Sequence, residues 1–176
     1  MPGKTPREAV KAYLDPLQKN AAIVCKGVLR VNNYDILDEV SVLTLADSAP
    51  LSGRADLLLS IVQQYKIIRD PENGPYRVTT RYYKYAVETE DSFEIFGYHW
   101  HPEGSSPVVF PHLHIGPGAG IGKSELTCKA HFPTGRVAFE DVIQFLIDEF
   151  DVQPDRALWQ ELSDKTKALF TKHKSW

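Results

Sequence analysis

Cysteine is almost missing from this chain: Cys25 and Cys128 are the only two in 176 residues. They stand far apart and outside any Cys-x-x-Cys motif, so a disulfide framework is not expected and a reducing, cytoplasmic setting is the simpler reading. Long apolar runs are lacking too. None approaches the roughly 20 residues a membrane-spanning helix needs, which excludes the membrane as an expected partner. Met1 to Val10 has no apolar h-region and does not read as a secretory signal. A basic excess is also lacking. The formal net charge is -3, which argues against a dedicated nucleic-acid binder but leaves room for a local basic patch.

What remains is an ordinary globular composition, 43% hydrophobic and 24% charged. The length suits a single domain over residues 1–176 with a real core. Thr5-Pro6-Arg7-Glu8 is a helix start with a cap, a proline at the first turn and a capping-box glutamate. A short helix over 6–19 is expected, with Pro16 kinking or ending it. From Ala22 to Ile115 the pattern turns to strands: Ala22 to Val31, Glu39 to Ala46, Arg54 to Ile68, Tyr76 to Thr89, Phe93 to His101 and Val108 to Ile115. Asp70-Pro71-Glu72-Asn73-Gly74-Pro75 is the strongest turn signal. Ser124 to Phe132 could add a last strand. Phe139, Val142, Ile143, Leu146, Ile147 and Phe150 then trace one face of a helix. A final helix is expected from about Arg156 to Lys172, with Leu158, Trp159, Leu162, Leu169 and Phe170 inward. The predicted class is α+β: a mainly antiparallel sheet of about five to seven strands, with an N-terminal helix and two C-terminal helices packed on it.

Five of the six histidines fall between Gly97 and His131. Two pairs, His99/His101 and His112/His114, have the form His-x-His. Residues i and i+2 of a strand share a face, so each pair aims two imidazoles one way. On neighbouring strands, four imidazoles would share one patch beside the glycine-rich loop Gly116 to Gly122. The sharpest reading is a site for a divalent transition metal (Zn, Fe, Ni or Mn), with His99, His101, His112 and His114 as ligands and Glu103 or His131 as a further one. Cupin-type sites also begin with a strand His-x-His, but expect a glutamate further on than Glu103 lies.

A second reading needs no metal. Two histidines can serve as general base and acid, and Arg81 or Lys123 would hold a phosphate. Arg77, Arg81, Tyr83 and Tyr85 fall on one face by alternation, Tyr82 and Lys84 on the other. In a third reading the histidines only order the sheet. A nucleotide cofactor is not expected. Gly122-Lys123-Ser124 ends like a P-loop, but Pro117 stands where the motif needs its first glycine. Cys128 and His131 would face opposite ways on a strand, against a Cys-His nucleophile pair.

The Pro111-His112-Leu113-His114-Ile115 strand, the Tyr/Arg-rich hairpin before it and the Pro133-Thr134-Gly135-Arg136 turn into a helix resemble small uncharacterised bacterial α+β families. Some of these are proposed as toxin components of toxin–antitoxin pairs. The resemblance spans roughly residues 54–150 and rests on His112 and His114, not on the His99/His101 pair. It implies a ribonuclease-like activity and a small cognate protein partner. The expectation is a histidine-cluster hydrolase, a phosphodiesterase of toxin type acting on RNA or a small phosphorylated substrate, with His112, His114, Arg81 and Lys123 as catalytic candidates. The alternative is a non-enzymatic binding protein whose histidines are structural or bind a metal only.

Overall fold

The computed structural model describes residues 2–71, 74–103, 106–121, 130–155, 157 and 159–173. Lys123, Cys128 and most of the Ser124 to Phe132 segment lie outside them. The elements are β1 (Pro2–Gly3), α1 (Pro6–Val24), β2 (Leu29–Val31), β3 (Ser41–Leu45), β4 (Ala49–Leu51), β5 (Arg54–Asp70), β6 (Gly74–Thr89), β7 (Glu94–Trp100), β8 (His112–Ile115), β9 (His131–Pro133), α2 (Phe139–Glu149) and α3 (Trp159–His173). The α+β class holds, with nine antiparallel strands among the described residues rather than five to seven. Their order is β2-β3-β5-β6-β7-β8-β9, with β1 beside β6 and β4 beside β5. Among the described residues no helix is long and apolar enough to cross a membrane.

Strands β5 and β6 form the spine of the sheet and pair from Leu57–Thr89 to Asp70–Gly74. On β5, Leu57, Leu59, Ile61, Tyr65 and Ile67 are buried in strict alternation, the signature of a sheet covered on one face. All three helices cover that face. Tyr13 of α1 packs on Tyr65, Phe139 of α2 packs on Tyr85, and Phe145 packs on Phe96. Helix α3 reaches the layer through Thr166, which receives a hydrogen bond from Asn20 of α1. The opposite face, with Leu58, Ser60, Val62 and Gln64 of β5 and Tyr82 and Lys84 of β6, is half-buried.

Several expectations need correction. Helix α1 does not stop near residue 19 but runs through Pro16 to Val24. Ala21, Ile23 and Val24 are fully buried. Burying two such branched side chains contributes about 1.5–3 kcal/mol each, enough to offset the roughly 3 kcal/mol of an interior proline. The same residues read as a strand from Ala22 because β-branched side chains serve any tightly packed surface. Only Leu29–Val31 is extended there. The strand expected from Val108 begins at His112, and the one expected over Phe93 to His101 spans Glu94–Trp100. The final helix begins at Trp159, with Arg156 and Leu158 outside the described residues. Its Leu169 is 37% exposed rather than inward.

A bulge between Gln64 and Tyr65 breaks the simple alternation of β6. Gln64 pairs with Tyr82 and Tyr65 with Thr80, leaving Arg81 as the extra residue. Arg77 therefore does not share a face with Tyr83 and Tyr85. Those two tyrosines are buried under the helices, while Arg77 pairs with Asp70 at 2.6 Å.

Candidate functional site

Strands β7, β8 and β9 bring the histidines together from three segments. His99 pairs with His112, Gly97 with His114, and His114 with His131. Directly opposed residues share a face, so His99, His112, His114 and His131 all rise from the face the helices leave uncovered. His101 joins them just past the end of β7. Ring centroids lie 5.4 Å apart for His99–His112, 5.6 Å for His99–His114 and 5.2 Å for His101–His112. His131 stands 4.7 Å from His112 and 5.6 Å from His114. His112 is the hub, touching three of the other four rings.

His112 is also the buried member, with 0% exposure. Its Nδ1 lies 2.9 Å from the Phe110 carbonyl. A carbonyl only accepts, so Nδ1 carries the proton and Nε2 the lone pair. That Nε2 is buried and receives no hydrogen bond among the described residues. Burial pushes the His112 pKa down, and its histidine neighbours push the same way against the Phe110 hydrogen bond. The ring is held neutral with its basic nitrogen turned into the cluster.

The sequence reading missed Glu94. Its Oε1 lies 2.5 Å from His114 Nδ1, and its Oε2 lies 2.8 Å from Lys84 Nζ and 3.4 Å from His99 Nε2. Burial works to raise the Glu94 pKa, but contacts with His99, Lys84 and His114 outweigh it and hold the carboxyl well below the usual carboxylate range. Glu94 has the parity of Phe96, so plain alternation puts it on the apolar side. A register shift between Val87 and Glu88, facing the start of β7, breaks that parity. The available signal was a lone carboxylate opening an otherwise apolar strand.

Gly97 was not singled out either. A Cβ there would stand 2.6 Å from His99 Nε2 and 3.2 Å from Glu94 Cδ. The His99 ring lies over the bare glycine, which lets it reach Glu94.

The anion-binding candidates fare differently. Arg81 forms an ion pair with Glu103, so Glu103 is engaged there rather than with the histidines. Lys84 is bound to Glu94. Lys123 lies outside the described residues. Tyr82 lies over His101, centroids 6.4 Å apart and planes at 30°.

The donor set fits a transition metal. Imidazoles around one tetrahedral zinc at about 2.0–2.1 Å have centroids about 5 Å apart, close to the separations here. A ligating histidine typically donates its other ring N–H to a carbonyl or carboxylate, as His112 does to Phe110 and His114 does to Glu94. As the side chains stand, no three His, Cys, Asp or Glu groups among the described residues converge on one metal-sized point. Capture of an ion therefore requires rotation of the rings. Compared with protein-family models, curated proteins and solved structures, the chain matches none.

Proposed function

We propose that the histidine face is a transition-metal centre that hydrolyses phosphodiesters, with RNA as the substrate class. The observation that carries the metal is His112: a buried, neutral imidazole with its lone pair turned among other imidazoles and, among the described residues, nothing donating to it. His112, with His99, His101 and His114, would hold a divalent Zn, Fe, Ni or Mn ion, and His131 stands beside them. Such an ion supplies a Lewis acid and a bound water that ionises near neutral pH.

The chain's own residues do the rest. Glu94 holds the His114 tautomer and ring plane. Contacts with His99, Lys84 and His114 keep Glu94 ionised against its burial. His131, half-buried at the rim and outside the proposed ligand set, is placed to pass a proton to a leaving oxygen. The sheet face that carries no helix suits a polymer better than an enclosed small molecule. RNA and a small cognate protein partner, in a reducing cytoplasmic setting, follow from the resemblance to toxin-type families and from the sparse cysteines.

One observation favours a second reading, metal binding without catalysis. Arg81 and Lys84 both already hold carboxylates, which leaves less charge for a phosphate. Metal analysis and RNA cleavage by untagged protein separate these. Cleavage lost on chelation, restored by one metal and abolished in His112→Gln supports the hydrolase. Cleavage that survives chelator but not His114→Ala points to metal-free acid–base chemistry. Bound metal with no cleavage leaves the binding protein.

A further inference from the structure

The histidine face carries one ring that neither the metal nor the proton transfer uses. Phe110 is 42% exposed, and its ring meets His112 edge-on, with centroids 5.9 Å apart and planes at 75°. A single exposed phenylalanine is ordinary on a protein surface. Phe110 differs because its ring completes a row. Tyr82 lies 6.4 Å from His101 with planes at 30°, His101 lies 5.2 Å from His112, and His112 touches Phe110. Four rings from β6, the end of β7, β8 and the segment before β8 therefore adjoin. His112 is sunk in the middle. Exposed Phe110 and the half-buried His101 and Tyr82 are what a ligand meets.

Charge alone does not account for how a nucleic acid is held here. Arg81 and Lys84, on the same strand as Tyr82, already face Glu103 and Glu94, and the chain carries a formal charge of -3. A polyanion held only by its phosphates needs cations to neutralise them. A polyanion held by its bases needs flat aromatic faces, because every base has a π-face of its own. In a duplex those faces are covered by the neighbouring bases. Only an unpaired base can lay one on a side chain.

We propose that Phe110 is a stacking platform for an unpaired base, so that the histidine centre receives single-stranded RNA and not duplex. The inference rests on the reading of that face as an RNA hydrolase. It makes Phe110 a positioning residue, because a base seated on a ring that touches His112 brings the adjoining phosphodiester to the histidines. The test is fluorescence anisotropy of the full-length chain with a labelled 2′-O-methyl RNA octamer in chelator, where neither a metal nor a 2′-hydroxyl can cut it. The single strand should bind at least about tenfold tighter than the matching duplex or a strand without bases. The slope of log affinity against log salt should be no steeper than about -1.5, the ion release of roughly two phosphates. Phe110→Ala and Phe110→Leu should each lose affinity about five- to 100-fold, while Phe110→Trp keeps it. Cobalt binding at the histidines should be unchanged in all three. No binding of the single strand, equal binding of strand and duplex, a steeper salt slope, or full affinity in Phe110→Leu would overturn the proposal. So would joint loss of cobalt and RNA binding in Phe110→Ala, which would mean that the ring only packs His112. The two readings fail separately. Parent protein that binds cobalt but shows no base preference sinks the stacking alone, and base-dependent binding without cobalt sinks the metal centre alone.

Discussion

Glu94 Oε1 lies 2.5 Å from His114 Nδ1, one strand across the sheet. A carboxylate on the far nitrogen fixes which imidazole nitrogen keeps the lone pair and raises its basicity. The same carboxylate reaches His99 and Lys84, so it organises two of the four proposed ligands. Loss of such a partner typically lowers metal affinity about 10- to 100-fold. Glu94→Gln is expected to do so with little loss of fold, read by competition against a chromophoric chelator. Unchanged affinity would mean that Glu94 is only a structural partner of Lys84.

Gly97→Ala separates position from stability. The added Cβ meets the far end of a side chain, His99 Nε2, rather than backbone. The ring can move aside, so the unfolding free energy should change by no more than about 1 kcal/mol, the lower end of overpacking costs. Displacing His99 should still weaken metal binding at least tenfold. A mutant with full affinity would remove His99 from the ligand set.

Acid should destabilise the protein through His112. Its folded pKa is lowered from the ordinary 6.5 by burial first and by neighbouring histidines after. Between the two values the unfolded chain binds the proton and the native chain does not. Stability is therefore full above about 6.5 and falls below it, by at most about 1.4 kcal/mol per pH unit for one proton. Denaturant titrations from pH 7.5 to 5 (a range set by the ordinary histidine value of about 6.5) should show a shallower slope in His112→Gln. An identical slope in the two proteins would place the titration elsewhere.

Much of the scaffold could be read from residue pattern. The buried alternation of β5 and the Phe139-Val142-Ile143-Leu146 face of α2 follow directly from side-chain periodicity. The two His-x-His pairs identified the strands that meet, because i and i+2 must share a face. The two differences in parity share one cause. Bulges at Gln64/Tyr65 and Val87/Glu88 shift parity by one residue, and local pattern does not reveal a bulge. Those shifts separate Arg77 from the face of Tyr83 and bring Glu94 to the face of the histidines. At α1, tertiary burial of Ile23 and Val24 overrode both the proline signal and the β-branched signal.

Pro16 offers a direct check on that last point. It sits inside α1, where its carbonyl accepts from Asn20 Nδ2 at 2.9 Å. Its ring nitrogen has no hydrogen to give to the turn before it. Pro16→Ala restores a helix donor but frees the unfolded chain, so a net gain of about 1–2 kcal/mol is expected from the roughly 3 kcal/mol helix term less about 1 kcal/mol of unfolded-state entropy. A loss of stability in chemical denaturation would mean that packing of the proline ring matters more than the missing hydrogen bond.

The most direct test of the histidine centre is a cobalt(II) titration of untagged protein, followed by visible absorption and with circular dichroism as the control for folding. Imidazole coordination should give a spectrum that saturates at one equivalent. It should vanish in a folded His112→Gln protein, whose lone-pair nitrogen is gone. No saturable spectrum, or a His112→Gln protein that binds cobalt as the parent does, would contradict a metal centre on this face.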